Sequence, residues 1–510
     1  MPAPSRTPRL VLVPLDERPV CLDLPRRIAA IAGFRMEVPP PVARPDLRRG
    51  GDIGALTTWL DAALHGDGDD AAHAAVVSLD GLGFGGLIPS RIGAESAAAV
   101  LARFDVLRDS AAPVYASIVV PRAPDAADDF EEPRYWAQWG PALHALSLEL
   151  GGSPGGGGGG GGGGRTADIP DDVRADWLRR RLRQHVLALG AVGMVADGTL
   201  RRLFVGVDDA VPGSLSERDQ MAIGEWIGRL GVTSRARVAP GADETGAVLT
   251  ARAVGEQLQT RPSRIAVLAA DPRGLDRVAP YETGPVGDTA RAQLDSAGAE
   301  LVEDPAEADG ILLVHTPDGT RGDWAVSPPE RTDTAAADAT AALAASLVAD
   351  GRTAVAVADV AQPNGADPAL VRALARRGVL ADLDGFAAWN TAGNTIGTAA
   401  AHLVTALAAR RAGVFDGGAS ARLVRTRVIE DYGYMSEVRR QLRARIGSPV
   451  ERHDRIEDVG GAAAFVAAAL TDALAPLASA GIGKVTASDI SFPWRRSFEI
   501  ALSDTAGENA

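Results

Sequence analysis

The residues of this chain that could do chemistry stand at the ends of apolar runs. Leu203-Phe204-Val205-Gly206-Val207 breaks off at Asp208-Asp209. The device recurs at Val11 to Asp16-Glu17-Arg18-Pro19, Val76 to Asp80-Gly81, Ile265 to Asp271-Pro272-Arg273, and Ala354 to Asp359. Like charges raise one another's pKa, so adjacent carboxylates are costly unless protonated, paired or holding a cation. Asp208-Asp209 and the next such tip, Pro240-Gly241-Ala242-Asp243-Glu244, therefore supply the candidate acid and base, one from Asp208 or Asp209 and the other from Asp243 or Glu244. For Asp243 or Glu244 the plainer alternative is an ordinary helix N-cap.

Three further groups could recognise a substrate. In Pro14-Leu15-Asp16-Glu17-Arg18-Pro19, Asp16 and Glu17 suit sugar hydroxyls or a metal ion, and Arg18 suits a carboxylate held bidentately. A local ion pair leading into the next helix competes with that reading. Ser78 to Arg91 carries Asp80 and Arg91 around glycines that permit close backbone approach to a ligand, although such turns also occur without function. Trp389-Asn390-Thr391-Ala392-Gly393-Asn394 joins a flat apolar face to the amides of Asn390 and Asn394, a set suited to a polyhydroxylated ring. Asn-Gly turn chemistry explains the same residues equally well. His315 is a candidate acid or ligand. Glu430-Asp431-Tyr432-Gly433-Tyr434 and Trp494-Arg495-Arg496 offer a pocket lining, with arginines to neutralise buried carboxylates, or an inter-domain seam.

To hold these tips together the chain needs parallel sheets. Runs of β-formers without polar alternation predict strands covered on both faces. They fall at 9–15, 34–38, 75–79, 113–120, 203–207, 234–238, 264–270, 310–315 and 353–358. Helices are expected near 22–32, 52–64, 93–109, 288–297 and 399–411, with 125–190 mostly helical. This is β-α-β grammar. It predicts an α/β fold of two or more Rossmann-like, doubly wound parallel-sheet lobes with a smaller α+β C-terminal region. The lobes are placed at 1–250 and 251–415, and the mixed region at 416–510. Ligands in open parallel sheets sit beyond the carboxyl ends of the strands, where these acids lie. The run Gly151 to Gly164 ends in ten glycines, and the stretch 151–166 reads as a flexible surface insert. No fixed dihedrals or following helix mark it as a phosphate cradle.

Composition removes several function classes. Lysine plus arginine total 52 against 66 acids, a formal charge of −14, which speaks against nucleic acid or an anionic membrane as partner. Lys484 is the one lysine, so no Walker-type loop can form. The turn Asp271-Pro272-Arg273-Gly274 lacks the glycine fingerprint for a dinucleotide, and no cofactor is expected. Cys21 is the single cysteine, which excludes intramolecular disulfides and thiolate metal centres. The apolar run after Arg9 is short for a signal peptide. The Ala-rich stretch 461–483, broken by Asp472 and Pro476, comes nearest to a membrane span. A cytoplasmic protein acting on a small molecule or oligosaccharide is expected, in an oligomeric state the sequence leaves open.

Five segments in order, Val13 to Val20, Gly85 to Arg91, Val207-Asp208-Asp209, Pro240 to Glu244 and Ala388-Trp389-Asn390-Thr391, resemble a bacterial family catalogued as domain of unknown function 4127. The resemblance spans nearly the whole chain and departs at the polyglycine insert. It implies a large bacterial α/β protein and brings no activity. From the residues themselves, the leading expectation is a two-carboxylate hydrolase of a glycoside or related sugar derivative, with Asp16, Glu17, Arg18, Asp80, Arg91, Trp389, Asn390 and Asn394 on the substrate. A divalent-metal hydrolase using Asp16, Asp80, Asp208 and Asp209 with His315 is the alternative. A non-catalytic sugar-binding protein is the third.

Overall fold

Strands without alternation need cover on both faces, and helices supply it. The computed structural model describes residues 7–66, 71–152, 166–317, 319, 322–330, 332–448 and 453–507. These divide into two compact units. The first comprises Met1–Arg26, Phe34–Ala253 and Tyr281–Thr283, and the second Arg27–Gly33, Val254–Pro280 and Gly284–Ala510.

The first unit is built on six parallel strands: β1 (Arg9–Val13), β2 (Arg35–Glu37), β3 (Ala74–Ser78), β4 (Val114–Val120), β5 (Arg202–Val207) and β6 (Ala236–Pro240), in the order β2-β1-β3-β4-β5-β6. Every residue of β3, β4 and β5 is buried, whereas the edge strands β2 and β6 keep exposed positions. Around the sheet run α1 (Pro19–Ile31), α2 (Ile53–His65), α3 (Leu79–Phe84), α4 (Leu87–Ile92), α5 (Ala97–Arg103), α6 (Trp136–Gly151), α7 (Asp171–Ala196), α8 (Leu215–Arg229) and α9 (Thr245–Gln257). The ends of α1 and α9 are counted with the second unit.

Register places the chemistry. Val13 pairs with Val77, Ser78 with Ser117, Val120 with Val207 and Val207 with Pro240. The residues after β1, β3, β4, β5 and β6 therefore leave the sheet at one edge. After β3 there is no loop: Ser78 accepts the Gly81 N–H at 3.0 Å and starts α3 at once.

The second unit repeats the plan with five parallel strands: β7 (Arg264–Leu268), β8 (Glu300–Leu301), β9 (Gly310–His315), β10 (Ala354–Asp359) and β11 (Gly385–Ala387), ordered β11-β10-β9-β7-β8. In both sheets the second strand flanks the first on one side and the later strands extend on the other. That is the doubly wound order, whose switch point lies between the first and third strands. Its helices are α10 (Val286–Ala297), α11 (Thr334–Asp350), α12 (Pro368–Arg376), α13 (Ala392–Ala412), α14 (Gly417–Arg427), α15 (Arg439–Ile446) and α16 (Val459–Leu474). An 11-residue π-helix, Val428–Val438, joins α14 to α15. Ile490–Ser491 and Ala501–Leu502 pair antiparallel near the C-terminal end.

The α/β fold expected from the sequence is the one observed. Two differences have local causes. The helix expected over 93–109 begins only after the Ser96 cap and tightens into a 3-10 turn at Phe104–Leu107. The strands β8 and β11, at two and three residues, are too short for a periodicity to reveal. The insert expected at 151–166 falls largely on 153–165, outside the described residues. The 22-residue stretch Val459–Ala480 is long and apolar enough to cross a membrane by length and composition alone. Here Val466, Leu470, Leu474 and Leu477 are buried, and Gly433 of the π-helix lies close enough that a Cβ would meet Leu470 and Leu474.

Close approach at the β1 and β3 ends depends on Gly81. A Cβ there would lie 2.2 Å from the Pro14 carbonyl oxygen. Gly81→Ala should lower stability by about 1–3 kcal/mol, measured as a reduced urea midpoint; an unchanged midpoint would mean that α3 is not pressed against the Asp16 turn.

Candidate functional site

At the carboxyl edge of the first sheet, arginines organise the acids. The Asp16 turn is closed by its own neighbour: the Arg18 N–H donates to Asp16 Oδ1 at 2.9 Å, and the guanidinium reaches both carboxylate oxygens, the shortest contact being Nη2 to Oδ2 at 2.6 Å. The same guanidinium forks onto Asp243, with Nη1 to Oδ2 at 2.9 Å and Nη2 to Oδ1 at 2.6 Å. All three side chains are buried. Asp16 follows β1 and Asp243 follows β6, so one cation ties two strand ends. Burial holds the Asp243 carboxyl above its ordinary value; Arg18 opposes the shift, and Asp16 and Asp208 add to it.

A second cluster forms around Arg91 of α4 and Arg122, which follows β4. Arg91 donates from Nη1 to Glu131 Oε2 at 3.0 Å and from Nη2 to Asp208 Oδ2 at 2.5 Å, with Glu132 Oε1 at 3.4 Å. Arg122 donates to Glu132 at 2.9 Å, Glu131 at 2.9 Å and Asp209 Oδ2 at 3.1 Å. Burial alone would lower the pKa of Arg122; its four acidic neighbours outweigh that and hold it well above its ordinary value.

Asp208 and Asp209 are the open members of this cluster, with 12% and 27% of their side chains exposed against 9% and 8% for Glu131 and Glu132. Asp209 sits at φ +30°, a left-handed conformation that few non-glycine residues adopt and that collects at functional sites. Its carboxyl is pushed up to about 6, first by burial and then by Asp208, with Arg122 and Arg91 recovering only part. One strand end thus carries two adjacent carboxyls, each ion-paired to its own arginine, with Asp209 raised to about 6.

Asp80 is different. Its Oδ2 accepts the Val119 N–H at 2.9 Å and its Oδ1 accepts Gln184 Nε2 at 2.8 Å, so both oxygens are spent on β4 and α7. Burial pushes it to about 6 despite those bonds. It buttresses the site from beneath.

Beside the second cluster lies a small recess, open to solvent, with a cavity volume of about 30 Å³. Its lining includes Arg91, Arg122, Glu132, Trp136, Trp177, Arg181 and Gln184.

Of the residues expected to act, Asp16, Arg18 and Asp243 are brought together, as are Arg91, Asp208 and Asp209. Asp80 backs the recess through Gln184. Glu17 instead accepts the Leu47 N–H at 2.8 Å and fixes a turn. Glu244 is wholly buried, its carboxylate folded against Gly241, whose Cβ would lie 2.0 Å from Oε1. Trp389, Asn390 and Asn394 belong to the second unit. Trp389 is only 2% exposed, gives its indole N–H to Thr398 at 3.1 Å and has the Arg427 guanidinium 5.7 Å from its ring centre. It packs, and offers no open ring face. Asn394 donates to Thr391 at 3.0 Å, and the Asn390 carbonyl accepts from Asn364 at 2.8 Å. His315, also in the second unit, sits between Thr340 at 3.0 Å and Asp367 at 3.3 Å.

Sequence reasoning missed Arg122, Glu131, Glu132, Trp177, Arg181 and Gln184. A signal for the first existed: the buried run 114–120 also ends in Pro-Arg, a strand tip of opposite sign.

Fold and site define a doubly wound α/β protein of two lobes, with an arginine-braced carboxyl cluster at one sheet edge. The chain belongs to the family described as Protein of unknown function (DUF4127), whose model matches residues 10–503. Comparison with curated proteins returns no match.

Two outcomes follow. Arg18→Met strands two buried carboxylates and should cost about 3–5 kcal/mol, seen as a large fall in the urea midpoint; a fall under about 1 kcal/mol would mean the pair does not need its cation. For Asp80 the folded pKa of about 6 lies above the ordinary 3.8. The folded state therefore binds the proton more tightly, and the Asp80 contribution to stability falls as pH rises from about 4 to about 6 and is flat beyond. Asp80→Asn should flatten the slope of Tm against pH in that window, and an unaltered slope would remove Asp80 as its source.

Proposed function

We propose that the first unit is a hydrolase of the two-carboxylate kind, acting on a glycoside or related sugar derivative, with Asp209 as general acid and Asp208 as the second acid of the pair. The observation that carries this reading is the Asp209 carboxyl, partly exposed at a strand end, in a left-handed backbone conformation and beside a second acid. Burial and the adjacent Asp208 push Asp209 up to about 6 although Arg122 pairs with it at 3.1 Å, and Asp208 in turn pairs with Arg91 at 2.5 Å. A carboxyl raised in this way is suited to the acid role of a two-carboxylate site. Asp243, Asp16 and Arg18 support the site as a locked triad.

The metal-dependent alternative has less support. Among the described residues, Asp16, Cys21 and Asp243 bring ligand atoms within 4.8 Å of one another, but the Arg18 guanidinium already bonds both carboxylates. A divalent ion would have to expel it. Burial also raises Cys21 well above its usual thiol value, which disfavours a thiolate ligand. The setting proposed is cytoplasmic and the partner a small molecule or oligosaccharide.

The test is turnover of a panel of aryl glycosides by the full chain. Activity should fall as pH rises through about 6, as Asp209 loses its proton, and Asp209→Asn should lower kcat by about 10²–10⁴. Turnover that survives both Asp208→Asn and Asp209→Asn would reject the assignment. Saturable sugar binding with no turnover would replace the hydrolase with a binding protein.

A further inference from the structure

The second half of α7 has the composition of a helix with no side facing water. From Val186 to Ala196 it carries no polar side chain, and a helix that is apolar all round is normally covered all round. Its inner face meets that expectation: Leu187, Ala188, Ala191, Val192 and Val195 are buried in the core of the first unit. The outer face does not. Leu182, Val186, Leu189, Gly193 and Ala196 recur at spacings of three and four and so form one ridge. Leu182 is 62% exposed and Val186 37%, Gly193 and Ala196 are exposed as well, and Leu189 is half-buried.

The neighbouring helix widens the ridge. α8 lies beside α7, held by Arg181 Nη2 to Asp219 Oδ2 at 2.6 Å and to Ser216 Oγ at 3.1 Å. Asp219, Trp226 and Leu230 fall at helical spacing on that side of α8, and Trp226 and Leu230 are 45% and 47% exposed. Single exposed apolar side chains are ordinary, but a contiguous patch of them marks an interaction surface. The longest segment outside the described residues, 153–165, is glycine apart from Ser153, Pro154 and Arg165, and its composition gives the ridge no apolar cover.

The ridge is complementary to itself. Its bulky side chains, Leu182 and Val186, stand at one end and its small ones, Gly193 and Ala196, at the other, with Leu189 midway. A Cβ built at Gly193 meets nothing within 4 Å, so the small end has room to receive a bulky one. The charges match too: exposed Arg179 precedes the bulky end, and Asp197, with 47% of its side chain exposed, follows the small end. An antiparallel copy turned about a two-fold axis at Leu189 sets Leu182 and Val186 against the partner's Ala196 and Gly193, and Arg179 against the partner's Asp197. In such an isologous interface each contact is made twice. A chain of formal charge −14 repels its own copies, and an uncharged ridge is where two of them can meet. We propose that the outer ridge of α7, widened by Trp226 and Leu230 of α8, is the interface of a two-fold homodimer in which the two α7 helices pack antiparallel. The proposal is independent of the reaction assigned to the first unit.

The experiment is sedimentation velocity of the full chain across the micromolar range, with the thermal melt of each variant recorded alongside. The unaltered chain should sediment as a dimer. Gly193→Glu should give a monomer that still melts cooperatively, because a side chain there has room in the single chain and glycine is a poor helix former. Leu182→Glu, at a position already exposed, should do the same, which guards against Gly193→Glu simply unfolding. Arg179→Glu should raise the dimer dissociation constant about tenfold, while Arg179→Lys should leave it near that of the unaltered chain. A monomeric unaltered chain, or a dimer that survives both Gly193→Glu and Leu182→Glu, would overturn the interface. An Arg179→Glu dimer as tight as the unaltered one would overturn the antiparallel arrangement. Binding of the unaltered chain to phosphatidylcholine vesicles, abolished by Leu182→Glu, would make the ridge a membrane surface and overturn the dimer.

Discussion

Buried carboxylates cannot stand alone, and the carboxyl edge of the first sheet depends on that constraint. A charge taken out of water must be paired, hydrogen-bonded or neutralised by a proton. In this chain the pairing falls to arginine, whose planar fork can serve two acids at once. Arg18 uses that geometry to join Asp16 after β1 to Asp243 after β6, positions four strands apart in the sheet order. Arg91 and Arg122 do the same for Asp208, Asp209, Glu131 and Glu132. The strand ends are thus cross-linked electrostatically on top of a sheet that already sets their register.

The chemistry proposed here is the remainder of that arrangement. Where two guanidiniums face four carboxyls, burial and the neighbouring Asp208 raise the Asp209 carboxyl to about 6. The second unit shows the same physics with a different result. Arg427 pairs with Glu430 at 2.8 Å and with Asp431, which also accepts the Ala388 N–H at 2.7 Å. Burial raises Glu430 to about 7 even so. At the β9 and β10 ends, His315 and Asp359 are register partners, and Asp359 accepts the Asp367 N–H at 2.6 Å. These groups are wholly buried and mutually engaged. They brace the second unit's loops.

Much of this was legible in the sequence because two signals are local. Apolar runs without alternation mark buried parallel strands, and the residue that ends each run marks the functional edge. Those signals located β1, β3, β4, β5, β9 and β10 and singled out Asp16, Asp80, Asp208, Asp209 and Asp243. What was not legible is which acid meets which cation. The Arg18–Asp243 contact spans 225 positions and the Arg91–Asp208 contact 117. No spacing rule reaches that far. Trp389 illustrates the complementary limit: its neighbours in sequence suggest a sugar platform, but burial beneath Arg427 is set by a helix that arrives later in the chain. The Glu131-Glu132 pair lies in an irregular segment where no periodicity marks a face.

The account stands or falls on the proton at Asp209. Carbon-13 carboxyl resonances of aspartate-labelled protein, followed by NMR from pH 3 to 9 and assigned with Asp209→Asn, measure it without any substrate. A titration of Asp209 centred near 6 is the predicted result. A midpoint near the ordinary 3.8 would leave Asp209 no raised proton to donate, and the acid role proposed for it would be gone.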